Sequence, residues 1–472
     1  MKDLNEQPTE SKLPPLWKAL LPVAFLVGTL WLAIVHYAKF ELTTHVPLIF
    51  ATVVASAVSL TLGHTWKDIE EGMVKGISLA LRACLILLVI GLLVGSWIQA
   101  GIVPSMIYYG LKLLTPSIFL VASCLICCVV SLATGSSWST AATVGIALMG
   151  VGEGLGIPKP MIAGAIISGA YFGDKLSPLS DTTNLAPAMA GANLFEHIRH
   201  MLYTTVPSLL LALVLYAILG RSHGGSLDTS QIDVILGALE KGYTVSPLLL
   251  LPPLLIIAMV VWKVPALPAL MGGYGVGALL AAVVQRQSFG QLLSVSYAGV
   301  KSATGHPLVD DLLSRGGLSS MFSTVALIMC ALSFGGVMER SGMLAAIANG
   351  ILRLARGTGG LVTATLCTCI GMNVLASDQY LAIVVPGRMF RSAYEKRGLA
   401  AINLSRALED SGTLTSALIP WNTCGAFMIA TLGLEPWTYV PFCFLNLINP
   451  VLSAIYGFTG VTMVKRLEPT KL

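Results

Sequence analysis

Residues 113–152 read LLTPSIFLVASCLICCVVSLATGSSWSTAATVGIALMGVG, a run of 40 positions without one Asp, Glu, Lys or Arg. A helix crosses the hydrocarbon of a bilayer with about 20 apolar residues. The run is twice that length, so it must fold back on itself to keep its backbone hydrogen-bonded. Near its middle, at 134–140, lies the polar cluster TGSSWST. Polar side chains at that depth need partners or a purpose.

The rest of the chain belongs to the same medium. Of 472 residues, 55% are hydrophobic and 11% charged, against roughly 25% charged in a soluble domain, and the mean hydropathy is +0.81. Charge-free runs recur at 83–111, 201–220, 247–262, 316–338 and 436–464. These features predict an all-α polytopic membrane protein of about 10–13 spans. Spans are expected near 19–37, 46–63, 76–98, 115–133, 157–173 and 204–220, then near 246–262, 264–285, 320–340, 359–375, 403–418 and 437–458. The run holding Trp31 and Tyr37 lacks a small-x-small cleavage site and reads as an uncleaved first span. The formal charge of +5 contains no long Lys/Arg run, so no nucleic-acid partner is expected and the excess reads as loop charge. The nine cysteines sit in or beside apolar stretches as small hydrophobes. Cys124, Cys127 and Cys128 mimic a C-x-x-C spacing, but no His or acid lies near them and no transition metal is expected.

Two halves are expected: a polar tail 1–18, a first transmembrane repeat 19–220, a polar linker 221–245, a second repeat 246–464 and a tail 465–472. Trp66–Gly76 and Phe289–Gly299 read as equivalent interfacial helices, each opening on an aromatic and closing on Gly. Deeper in each half, TGSSWST precedes GDKLSPLSDTTN (173–184), and IGMNVLASD (370–378) precedes EDSGTLTS (409–416). Gly135 to Asp174 and Gly371 to Asp410 are both 39 residues, an offset of 236. At that offset the connector 388–397 carries Arg388, Arg391, Lys396 and Arg397, while 152–161 carries only Glu153 and Lys159. The positive-inside rule puts the basic connector in the cytoplasm and its counterpart outside. Equivalent loops on opposite sides mean an inverted-topology repeat with broken helices, the usual build of a secondary transporter. Localisation in the cell (inner) membrane with a cytoplasmic C-terminus is expected.

Asp174 and Asp181 lie in a stretch where Pro178 and Pro187 break the helix and Ser177, Ser180, Thr182, Thr183 and Asn184 add oxygens. Hard cations such as Na+ suit an all-oxygen cage with one carboxylate. The second half carries Asn373, Ser377 and Asp378, then Glu409, Asp410, Ser411, Thr413, Thr415 and Asn422, with Pro420 and Gly425 to break the helix. The candidate cation and proton site is Asp174, Asp181, Asp378 and Asp410 with Ser137, Ser177, Ser180, Thr182, Thr183, Asn184, Asn373, Thr413, Thr415 and Asn422. The competing reading has the hydroxyls binding one another and the backbone, and the acids in structural pairs, Asp174 with Lys175 and Glu409 with Arg406. Arg82 either snorkels or neutralises a buried carboxylate. His197 and His200 read as interfacial, and Asp310 and Asp311 as a wet connector. No G-x-x-x-x-G-K-[ST] element occurs, which disfavours ATP-driven transport by this chain.

GAYFGDKLSPLSDTTNLAP (169–187), SDQYLAIVVPGRMF (377–390), AYEKRGL (393–399) and LEDSGTLTSALIPWNTCGAF (408–427) resemble the NhaC family of Na+/H+ antiporters, within the wider ion transporter superfamily. The resemblance covers about 130–460. It implies an inverted-repeat transporter in which re-entrant hairpins and broken helices bind Na+ and substrate. Met372 and Ala376 are less polar than such a hairpin would have.

The function expected is exchange of Na+ for H+ by competition at buried carboxylates, serving pH and sodium homeostasis. Na+ and H+ are then transported ions, with no organic cofactor and no enzyme activity. The alternative is Na+- or H+-coupled movement of a small organic anion, of malate/lactate type, or an amino acid. The partners are the lipid bilayer and these small solutes, with a homodimer left open. An intramembrane aspartyl protease is a distant alternative, since YFGD ends on Asp174 and Asp410 could pair with it. It leaves the surrounding hydroxyls unexplained. A channel lacks a filter motif.

Overall fold

In a computed structural model the described residues are 13–32, 44–222, 229–262 and 264–466, and they are helical throughout apart from loops and one β-bridge between Leu399 and Lys465. The tails 1–12 and 467–472 and the middle of the linker lie outside them. In chain order the first half is α1 (Leu16–Trp31), α2 (His45–Thr61), α3 (Trp66–Gln99), α4 (Ile102–Leu113), α5 (Pro116–Thr134), α6 (Ser137–Thr140), a π-helical turn (Ala141–Gly145), α7 (Ile146–Gly154), α8 (Lys159–Leu176), α9 (Asp181–Ala190) and α10 (Leu194–Ser222). The second half is α11 (Thr229–Gly242), α12 (Leu251–Val261), α13 (Ala266–Val283), α14 (Phe289–Ala298), α15 (Pro307–Leu313), α16 (Phe322–Arg340), α17 (Met343–Leu354), α18 (Gly357–Leu375), α19 (Gln379–Lys396), α20 (Ala401–Leu408), a second π-helical turn (Glu409–Thr413), α21 (Thr423–Leu432), α22 (Pro436–Tyr439) and α23 (Phe444–Thr459).

Six of the described helices are long and apolar enough to cross a membrane, and up to eight crossings result if each of two bent pairs counts as one. Four shorter apolar helices add to these, among them α1 and α2. α10 exposes Leu210, Leu211, Val214 and Ile218. An apolar face turned outward along a whole helix is a face made for lipid.

The interfacial piece Trp66–Gly76 is not a separate helix. It opens α3, capped by Thr65, whose hydroxyl accepts from the Asp68 amide at 3.2 Å while Asp68 accepts from the Thr65 amide at 2.9 Å. The helix runs on unbroken because Gly72 and Gly76 meet α16 backbone: a Cβ on Gly76 would lie 2.3 Å from the Leu332 carbonyl oxygen. Close approach of small residues is how membrane helices gain contact. α5 and α8 do the same, Gly169 and Gly173 resting on the carbonyls of Cys124 and Cys128. The expected counterpart, α14, does stand alone and ends at Gly299, φ 80°.

The repeat is real in the backbone, but its register differs from the sequence expectation. Lys159 and Ala401, Asp181 and Thr423, and Leu194 and Pro436 all begin helices, and each pair is 242 apart. The left-handed glycines Gly156 and Gly398, and Gly191 and Gly433, share that offset. At 242, Asp174 corresponds to Ser416 and not to Asp410; the equal 39-residue spacings were coincidence between polar clusters. A repeat is carried by turns and caps, which force backbone geometry, and not by which side chain happens to be acidic.

α3 has 34 residues, about 50 Å at 1.5 Å each, and serves as a ruler. α16 lies antiparallel to it: Gly317 N donates to Gly91 O at 2.7 Å at one end, and Arg340 pairs with Asp68 at 2.9 Å at the other. The hairpin α5–α7 has adjacent ends, Gly152 against Phe119, and Glu153 pairs with Arg315 at 3.6 Å and with Lys159 at 2.9 Å. It therefore opens at the Gly91 end. The hairpin α18–α19 closes its ends through Arg397 Nη2 to Ala355 O at 3.3 Å. Its lead-in, α17, packs Gly350 on Leu16 near Lys18, which reaches Thr61 just before α3. This hairpin opens at the Asp68 end. The two equivalent hairpins enter from opposite ends, as an inverted repeat requires.

One local reading changes, and two gain detail. His197 and His200 are buried in α10, not interfacial. The polar stretch after Arg221 is largely the helix α11. Asp310, in the first turn of α15, is bound by the Thr304 amide at 2.6 Å, which with the Thr304 and Ser302 hydroxyls holds it below the usual carboxylate range.

Candidate functional site

Each hairpin turns by a left-handed residue followed by a capping side chain. Gly135 (φ 68°) precedes Ser136, which accepts from the Ser139 amide at 3.1 Å; Ser377 (φ 58°) precedes Asp378, which accepts from the Leu381 amide at 3.0 Å. The first turn requires glycine, because a Cβ on Gly135 would stand 2.7 Å from Leu179 Cβ. The second turn holds a serine in that conformation, a strain that marks functional sites.

Both tips reach one cavity of about 750 Å³, walled by α3 from Leu79 to Ile86 with Arg82 among them. Ser136 and Trp138 enter from the first tip, Asp378, Gln379 and Tyr380 from the second, and Asp174, Ser180, Asp181 and Thr182 from the break between α8 and α9. Asp174 is buried and accepts from Ser137 twice, from the amide at 3.1 Å and the hydroxyl at 2.6 Å. No ion pair to Asp174 exists among the described residues. Asp378 is buried at its cap. Asp181 is exposed to the cavity and receives the Tyr380 hydroxyl at 3.4 Å.

The other predicted residues build the break. Ser177 Oγ accepts from the Leu179 amide at 3.3 Å, and Asn184 Nδ2 donates to the carbonyls of Pro178 and Ser180 at 2.8 and 2.7 Å. Thr183 donates to the carbonyls of Asp174 and Lys175, both at 3.0 Å, and Ser180 and Thr182 share a hydrogen bond at 3.2 Å. In the second half Asn373 donates to Gly412 O at 2.8 Å and Thr415 Oγ1 at 2.9 Å, and Asn422 donates to Asn373 O and Oδ1 at 3.1 Å. Asn373, Asp410, Thr413, Thr415 and Asn422 do not line the cavity.

Asp410 is buried elsewhere, bonded by Lys175 and by Thr204 at 2.9 Å, with Arg406 at 3.7 Å. The pairs expected from neighbourhood, Asp174 with Lys175 and Glu409 with Arg406, do not form; both cations turn to Asp410. The signal was available: adjacent residues on a helix point about 100° apart, so Lys175 could not share the face of Asp174. Glu409 and Tyr380 were not among the predicted site residues. Glu409 reads in sequence as one more acid beside Asp410, and nothing local distinguishes it.

Residues 169–461 match the model of the Na+/H+ antiporter family. The chain is 39% identical over 451 residues to the Na+/H+ antiporter NhaC of Alkalihalophilus pseudofirmus, covering 95% of this chain and 97% of that one. It is 39% identical to the arginine/ornithine antiporter ArcD of Halobacterium salinarum, covering 96% and 93%. It is 35% identical to the malate-2H+/Na+-lactate antiporter of Bacillus subtilis, covering 95% and 96%. With paired hairpins meeting at a carboxylate-lined cavity and relatives aligned end to end, the chain belongs to the Na+/H+ antiporter family.

Proposed function

We propose that the protein exchanges Na+ for H+ across the cell membrane by competition of the two ions for carboxylates at the cavity, Asp174 first. The observation that carries this reading is Asp174 itself: buried, facing the cavity, supported by Ser137 donors and without a basic partner among the described residues. Such a carboxylate is neutralised by H+ or by Na+ but not by both, and that exclusivity couples opposed fluxes. Asp378 and Asp181 add charge across the same space. The basic connector ending at Arg397 lies beside the C-terminal segment through the Leu399–Lys465 bridge, so the positive-inside rule supports a cytoplasmic C-terminus.

A second reading is favoured by the size of the cavity. About 750 Å³ exceeds the need of a bare Na+, and Arg82 stands in the wall to meet an anionic group. Two of the relatives named above carry organic solutes. Uptake of labelled lactate, malate and arginine into proteoliposomes separates the readings.

The test is Na+-driven proton flux in proteoliposomes of the purified protein. The apparent Na+ KM is expected to fall as pH rises and then to level off once the carboxylate is fully ionised. Asp174→Asn is expected to abolish exchange with insertion intact, and Asp181→Asn to weaken Na+ affinity while leaving residual exchange. A KM flat from about pH 6 to 9, the range of raised buried carboxylates, or an Asp174→Asn protein that transports like the parent, overturns the mechanism.

A further inference from the structure

From the cavity wall inward, five Asp, Glu, Lys and Arg side chains are buried together: Asp174, which lines the cavity, then Lys175, Arg406, Glu409 and Asp410, none more than 8% exposed. Lys175 bonds Asp410 and also donates to Asn449 Oδ1 at 3.0 Å, while Arg406 faces Asp410 Oδ2 at 3.7 Å and donates to Thr462 Oγ1 at 2.7 Å. Both bases therefore serve one carboxylate. When all three acids are ionised they outnumber the two bases by one negative charge, and Asp174 already has the Ser137 donors. The surplus falls on Glu409, which is 0% exposed and whose two carboxylate oxygens have no hydrogen-bond partner among the described residues. Thr413 Oγ1, four residues on, is also buried and unpartnered.

An ionised carboxylate out of water needs a counter-charge or donors, and among the described residues Glu409 has no ion pair and no formed hydrogen bond. What faces it is the hydroxyls of Thr413 and Thr182 and the charges of Lys175 and Asp174. Thr182 also lines the cavity, so this one residue is shared by the cavity wall and the surroundings of Glu409. Glu409 and Thr413 are the ends of the second π-helical turn, a widened turn that recurs at functional sites.

We infer that Glu409, Thr413 and Thr182 form an occluded site for one desolvated monovalent cation, Na+, reached from the cavity past Asp174. The donors are hard oxygens, which suit Na+, and a single positive charge cancels the single surplus negative one where a divalent ion would overshoot. The inference rests on the exchange reading for the identity of the ion. It goes beyond that reading by placing a second station behind the cavity, on a carboxylate in a different half of the chain.

The test is Na+ binding to the full-length protein in detergent, read as the rise in thermal midpoint during NaCl titration with choline chloride as the ionic control. The parent is expected to show a saturable Na+-specific rise. Glu409→Gln is expected to lose at least tenfold in Na+ affinity, Thr413→Val to lose about tenfold, and Thr413→Ser, which keeps the hydroxyl, to bind like the parent. If Glu409→Gln fails to fold, the Thr413 pair decides. A parent that binds and exchanges Na+ while Glu409→Gln and Thr413→Val bind it equally well overturns the occluded site alone. A parent with no Na+ response overturns this site and the exchange reading together.

Discussion

Asp174 and Lys175 are neighbours in sequence and face different chemistry. One turns to the cavity and the other to Asp410, 235 residues away, because successive helical side chains diverge. Lys175 and Asp410 are both wholly buried, so removing Lys175 leaves Asp410 with only the Thr204 hydroxyl at 2.9 Å and the longer Arg406 contact at 3.7 Å. Lys175→Met is expected to destabilise the fold by about 3–5 kcal/mol, measured as a lowered thermal midpoint in detergent. Adding Asp410→Leu should not restore the loss, since it leaves Arg406, which faces the same carboxylate at 3.7 Å, buried without its counter-charge. A Lys175→Met protein as stable as the parent would show that the pair holds nothing together. Pairing to Asp410 was not legible beforehand: helix geometry speaks against the neighbouring Asp174 as partner but does not name a carboxylate 235 residues away.

Among the elements, the hairpin tips do the positioning. Gly135 ends α5 in the left-handed region and lets Leu179 and Ser180, the break that carries Asp174, pack directly on the turn. Gly135→Ala is expected to cost about 1–2 kcal/mol for conformation alone, and more from the contact at 2.7 Å, with loss of exchange in proteoliposomes. Ser377 sits in the same conformation with a buried, unpartnered hydroxyl. Ser377→Gly should therefore raise the thermal midpoint while lowering transport, the signature of strain kept for function; a rise in both would mean the hydroxyl has no role. The helix break here was readable from Pro178, whereas Pro187 lies inside α9 and breaks nothing; the continuity of α3 through Gly72 and Gly76 was not readable, because glycine marks a break or a close contact and only the neighbouring helix decides which.

For the whole molecule, the opposed openings of the two hairpins carry a topological consequence. A cysteine at Pro158 and one at Lys396, both exposed connector positions, should react with a membrane-impermeant thiol reagent from opposite sides, the first from outside and the second from the cytoplasm. Labelling of both from one side would remove the inverted arrangement. The sequence by itself determined the membrane class, the folding back of 113–152 and the polar breaks around Asp174 and Asp410, since hydropathy and helix breakers act within a few turns of chain. Only the tertiary structure decided the repeat register of 242, the meeting of Asp174 with Asp378 at one cavity, the withdrawal of Asp410 into a buried ion pair and the isolation of Glu409. The reason is physical: a charge in a low-dielectric interior is settled by whichever donor or counter-charge packing brings within a few ångströms, and those partners come from opposite halves of the chain.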